Sequence, residues 1–165
     1  MRQPGTHCVV LGVGNPDRGD DAAGRRVAQL LRKQHFGEVE IHELDGEPAT
    51  LLARLEGARA AWIIDACRTG AATGTVHRLD VSVTPLRHAC RGLSTHGMGL
   101  AEALELARAL GQLPARCIVY AVEAGRFDAG AALSATVAES VAVVAARIVA
   151  EVLGITPHAE RAAGA

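Results

Sequence analysis

Three stretches of the chain set cation-binding or proton-accepting side chains beside glycines. They are Gly12-Val13-Gly14-Asn15-Pro16-Asp17-Arg18-Gly19-Asp20-Asp21, then Ile63-Ile64-Asp65-Ala66, then Ser94-Thr95-His96-Gly97-Met98-Gly99. The adjacent aspartates open a helical pattern, so Asp20 reads as its cap or first-turn acid, which leaves Asp21 to point toward a crevice. Asp65 follows Trp62-Ile63-Ile64, and a carboxylate at the end of a buried strand needs a partner or a wet cleft. Gly97 and Gly99 allow the backbone around His96 to approach a ligand closely. Together Asp21, Asp65 and His96 offer two carboxylates and an imidazole. That set suits a borderline divalent ion such as Ni²⁺, Zn²⁺ or Mn²⁺, with coordination positions left open. His7, His35, His42, His77, His88 and His158 lack a comparable setting and read as ordinary structural or surface histidines.

Phosphate chemistry is excluded by spacing and charge. A dinucleotide fingerprint needs a third glycine where Asp17 stands, and a P-loop needs a Gly-Lys-Ser/Thr that is absent. Asp20 and Asp21 would also repel an anion from the helix start.

The elements that must position these residues alternate between strand and helix. His7 to Val13, Ala60 to Ala66 and Arg116 to Val122 are short apolar runs of the kind found in buried strands. Val39 to Leu44 alternates as a half-exposed strand, and Gly74 to Asp80 as an edge strand. Helical spacing is seen over Asp20–Arg32, about 48–56 behind Pro48, and about 99–110. Ser134 is placed to cap a long final helix with the stripe Val137, Val141, Val144, Ile148 and Val152. This order predicts an α/β fold: a single-domain three-layer sandwich, its mostly parallel twisted sheet covered by helices on both faces. Residues 1–155 form the domain and 156–165 read as a flexible tail. Ligands in such sheets bind beyond the carboxyl ends of the strands, where all three stretches fall.

Composition narrows the function further. The chain has 165 residues, with 17 basic against 18 acidic side chains and a net charge of −1. That balance excludes a general nucleic-acid binder, which needs surplus Lys and Arg. Phe36, Trp62, Tyr120 and Phe127 are too few and dispersed for a base-stacking platform. The most apolar stretch, Val141 to Leu153, is interrupted by Arg147 and Glu151 and is shorter than a membrane span. Cys8, Cys67, Cys90 and Cys117 form no C-x-x-C pair, so no zinc knuckle or redox motif is encoded, and Cys67 reads as a buried structural thiol. Scattered thiols suit a reducing, cytoplasmic setting.

Gly12-Val-Gly-Asn-Pro-Asp-Arg-Gly-Asp-Asp21, Leu44-Asp45-Gly46, Ile64-Asp65-Ala66 and Ser94-Thr-His-Gly-Met-Gly-Leu100, in this order, resemble the motifs of the hydrogenase maturation endopeptidases. The resemblance runs from Cys8 to about Leu153. It implies a metal-dependent, aspartic/His-type peptidase, a hydrolase that activates another enzyme by removing the C-terminal extension of a [NiFe]-hydrogenase large-subunit precursor. It further implies that Asp21, Asp65 and His96 are the metal-binding and catalytic triad. Asp45, with Gly12, Gly14 and Asn15, matches positions that recognise the substrate and hold the first strand end. In this resemblance the Ni²⁺ arrives with the precursor, which is cut after a basic residue near its nickel-ligating cysteines; another divalent ion would fill the site in isolation. A non-catalytic nickel-sensing chaperone or checkpoint for the same precursor would use the same ligands. Two departures stand out: Glu47-Pro48 where the family often has Gly-Thr, and Ala22 where glycine is common.

Overall fold

The computed structural model describes Gly5 and residues 7–86 and 99–161. Strand β1 (Cys8–Val13) leads through a 3-10 turn (Gly19–Ala22) into α1 (Ala23–Arg32). There follow β2 (Val39–Leu44), α2 (Pro48–Leu55), β3 (Ala60–Cys67), β4 (Val76–Asp80), α3 (Leu100–Ala109), β5 (Arg116–Glu123) and α4 (Ala135–Arg161). The backbone of α4 thus runs into the segment after 155. The five strands form one sheet in the order β2-β1-β3-β5-β4, parallel except for β4, which pairs antiparallel with β5 along the edge. The expected α/β sandwich is therefore the observed one.

The central strands read as unbroken apolar runs because both faces of a parallel sheet are covered. Every residue of β1 and β3 is buried, and all of β5 beyond Arg116. One face carries Val9, Leu11, Ile63, Val119 and Ala121 under Leu51 and Leu55 of α2 and Leu104 of α3. The other carries Val10, Trp62, Ile64, Ile118 and Tyr120 under Val27 and Leu31 of α1 and Val137, Val144 and Ile148 of α4.

α1 lies unusually close to the sheet, and two glycines make that possible. A Cβ on Gly12 would sit 2.2 Å from the Gly24 carbonyl oxygen, and one on Gly24 would sit 2.3 Å from the Ile64 carbonyl oxygen. The second layer contact is polar. Glu151 of α4 accepts hydrogen bonds from Trp62 Nε1 (2.9 Å), Arg78 Nε (2.8 Å) and the Tyr120 hydroxyl. Burial works against its charge, but these three donors outweigh it and hold the carboxyl down at about 2.

One boundary and one side-chain role differ from the expectation. The aspartates lie in a tight 3-10 turn, and α1 begins only at Ala23. Asp20 does not cap its own helix: its carboxylate accepts from the backbone N–H of Gly125 (2.8 Å), Arg126 (3.0 Å) and Ser134 (2.6 Å), and from the Ser134 hydroxyl (2.7 Å). Burial raises its pKa, yet the donors at Ser134, Gly125 and Arg126 win and keep it below the ordinary carboxylate value. Asp20 is therefore a tie between the turn after β1 and the segment between β5 and α4.

Candidate active site

Register gathers the proposed residues at one rim of the sheet. Gly12 pairs with Ile64 and Val13 with Leu44. Asp65, two residues before the end of β3, therefore stands level with Val13, and Gly14 and Asp45 follow just past the ends of β1 and β2. This is the carboxyl edge, where the topology leaves room for a ligand.

Asp21 reaches that edge from the 3-10 turn. It is fully buried, and its Oδ2 accepts the Asn15 N–H at 3.1 Å. The turn above it is built for close approach. Gly14 has φ of +144°, and a Cβ there would lie 1.9 Å from the Asp21 carbonyl oxygen. Gly14 N–H donates to Leu44 O (3.0 Å) and Arg25 Nε donates to Gly14 O (2.6 Å), which fixes the turn between β1, β2 and α1. Asn15 closes the same turn through its Oδ1, which accepts the Asp17 N–H at 2.9 Å. Gly12, Gly14 and Asn15 thus shape the backbone around Asp21.

Asp65 is 4% exposed and accepts the Ala66 N–H at 2.8 Å. Its carboxyl is pushed well above the ordinary value by burial, and the Asp21 charge pushes it in the same direction. Two carboxyl groups close enough to repel, on different elements of one rim, form a site that a cation would relieve. The donor set present therefore fits a hard or borderline divalent ion. Asp65 also lines a small cavity with Val13, Gly46, Leu51, Leu100 and Ala103, so the carboxyl group faces the gap between α2 and the start of α3.

Asp45 lies exposed at the mouth, its Oδ1 accepting the Glu47 N–H (3.1 Å) in a tight turn through Gly46, which has φ of +96°. The Glu47-Pro48 pair has a structural reason. Glu47 caps α2, accepting from Ala49 N–H (3.1 Å) and Thr50 N–H (2.9 Å), and Pro48 takes the first helical position. The structure thus brings Asp21 within electrostatic reach of Asp65 and leaves Asp45 exposed in the turn after β2. His96 lies outside the described residues; Gly99, at the end of its motif, leads directly into α3. The sequence reading passed over Glu123, a buried carboxylate at the carboxyl end of β5. The same signal as for Asp65, an acid closing an apolar strand, would have found it.

Comparison with known proteins places this architecture. A family model described as hydrogenase maturation protease matches residues 25–151. The hydrogenase expression/formation protein HupD of Thiocapsa roseopersicina is 28% identical over 122 residues, covering 73% of this chain and 55% of that protein. The protein of the same name from Rhodobacter capsulatus is 28% identical over 110 residues, with 66% of this chain and 52% of that protein covered. The chain thus spans about half the length of the curated relatives it matches. Among solved structures, the hydrogenase maturating endopeptidase HybD from E. coli superposes with a TM-score of 0.77 at 26% identity, covering 92% of this chain and 94% of that one. The [NiFe] hydrogenase maturation protease HybD from Thermococcus kodakarensis shares the fold with a TM-score of 0.71 at 24% identity, covering 89% and 99% of the two chains.

Proposed function

Because the chain belongs to the hydrogenase maturation protease family, we propose that it removes the C-terminal extension of a nickel-loaded [NiFe]-hydrogenase large-subunit precursor. The observation that carries this reading is the buried pair Asp21 and Asp65, held at the sheet rim within electrostatic reach of each other. His96, two residues before Met98 in the segment that enters α3, completes the proposed set.

In this reading the nickel is part of the substrate, and the three side chains finish its coordination shell from the open side. A cation between two carboxylates offsets both the desolvation and the mutual repulsion that raise the Asp65 pKa. An ion held there supplies Lewis acidity, polarising the scissile carbonyl or acidifying a bound water. The chain's own part is to orient and to accept a proton. One carboxylate of the pair, Asp21 or Asp65, accepts the proton, and the Asn15 N–H fixes the orientation of Asp21. The exposed Asp45 turn and Gly46 form the surface that meets the precursor.

A cytoplasmic setting belongs to the same proposal. It is supported by the buried thiols of Cys8, Cys67 and Cys117, which form no disulfide. The test is mass spectrometry of purified precursor mixed with this protein. Nickel-loaded precursor is expected to lose its C-terminal peptide, and nickel-free precursor to keep it. An unchanged mass in both would overturn peptidase activity and leave a nickel-sensing checkpoint.

A further inference from the structure

Two residues beyond Asp65, on the same face of β3, Cys67 meets two polar side chains from neighbouring strands. One ligand atom each from Cys67, His77 and Glu123 lie within 4.8 Å of one another. Sheet register explains the meeting. Cys67 pairs directly with Glu123 across β3 and β5, while His77 of β4 pairs with Ala121, which shares a face of β5 with Glu123.

The cluster is sheltered but reachable. Cys67 is fully buried and Glu123 is 2% exposed, whereas the His77 side chain is 25% exposed and opens to solvent. His77 Nε2 lies 3.1 Å from Glu123 Oε1. The carboxylate is held in place from the other side by Thr69, whose N–H donates to both oxygens (3.0 and 3.1 Å) and whose hydroxyl donates to Oε1. The Cys67 thiol donates to the same carboxylate.

We propose that Cys67, His77 and Glu123 form a second cation site that binds a thiophilic divalent ion, with Zn²⁺ as the working example. Bonds of about 2.0–2.3 Å in tetrahedral geometry put ligand atoms about 3.3–3.8 Å apart. The imidazole and carboxylate, 3.1 Å apart, need to open by only about 0.2 Å to reach that spacing, and the thiol needs to close by about 1 Å. Thr69 supplies the outer hydrogen bonds that orient a ligating carboxylate. The thiol proton leaves on binding, since the thiolate is the ligand. Three strands supply the three donors, and the fourth position stays open to water. Asp65 lies about 6.5 Å back along β3, the span of two extended residues, so the two sites hold separate ions. The thiol separates their chemistry: two carboxylates with an imidazole offer no soft donor, whereas this cluster offers one. The inference stands independently of the peptidase reading.

Co²⁺ is the probe, because a cobalt–thiolate bond gives a charge-transfer band in the near ultraviolet that carboxylate and imidazole ligands do not. The reduced, metal-free protein titrated with Co²⁺ is expected to show that band, and Zn²⁺ is expected to bleach it. Cys67→Ser should abolish the band, and His77→Gln should weaken Co²⁺ binding at least about tenfold. Asp65→Asn and Cys8→Ser should leave it in place. A second readout covers the case in which Cys67→Ser fails to fold: Zn²⁺ should raise the Tm of the wild type more than that of His77→Gln, which keeps only the Asp21–Asp65 site and whose partly exposed side chain leaves the core intact. No band in the folded wild type, a band that survives Cys67→Ser, or equal Zn²⁺ stabilisation of wild type and His77→Gln would each overturn the site.

Discussion

Asp65→Asn should make the protein more stable and less active. Asparagine has the shape of aspartate and keeps an oxygen for the Ala66 N–H, now 2.8 Å from Oδ1. It removes a charge that is 4% exposed and repelled by Asp21. The sign follows from linkage. The unfolded chain releases the Asp65 proton near 3.8, while the folded chain holds it to higher pH. Stability therefore falls as pH rises from 3.8 through the folded pKa, and the full penalty applies above it. A buried charge without full compensation costs about 1–3 kcal/mol or more, so the neutral side chain should gain about 1 kcal/mol or more at neutral pH. For a domain of this size each kcal/mol corresponds to a rise in Tm of about 2–4 °C. Urea unfolding of wild type and variant at neutral pH, and again below 3.8, measures the effect. The gain should vanish in acid, and precursor processing should be lost at neutral pH. A variant that is less stable at neutral pH, or a gain that ignores pH, would refute the claim that Asp65 is a strained carboxylate held for function.

Other consequences are structural. Asp20→Ala strands three backbone N–H groups and the Ser134 hydroxyl, and should cost about 3 kcal/mol in urea unfolding. Because the folded pKa of Asp20 is lowered, its contribution is present above 3.8 and lost as pH falls through the folded value. Glu151→Gln should cost about 1–2 kcal/mol, discounted for the exposed part of Arg78, and should change Trp62 fluorescence. The Glu151 contribution is complete above 4.5 and fades as pH drops toward about 2, which an acid titration of Tm would show. Gly24→Ala drives a methyl group to 2.3 Å from the Ile64 carbonyl oxygen and should cost about 2–3 kcal/mol. Gly154→Ala, where nothing crowds a Cβ, should gain about 0.5–1 kcal/mol, since alanine is the better helix former.

The layered fold was legible because parallel strands covered on both faces leave runs such as Ala60–Cys67, and each covering helix carries one apolar stripe. Asp65 was legible for a related reason: a carboxylate stands out at the end of an apolar strand. What the chain hid depends on neighbours distant in sequence. Asp20 resembles a helix cap locally, yet its partners Gly125, Arg126 and Ser134 lie more than a hundred positions away. The strand of Val76–Asp80 was readable as an edge, but not its antiparallel seat beside β5, and only that seat turns His77 toward Glu123. The helix behind Pro48 was legible in the proline itself, but not that Glu47 would cap it.

The central claim is that Asp21, Asp65 and His96 share one ion. A crystal of the protein soaked in Ni²⁺ and measured at the nickel absorption edge locates that ion directly. An anomalous peak between the Asp21 and Asp65 carboxylates, with His96 as the third ligand at about 2.0–2.1 Å, is the expected result. A His96 imidazole more than about a dozen ångströms from both carboxylates, beyond the reach of any single ion's bonds, would contradict it.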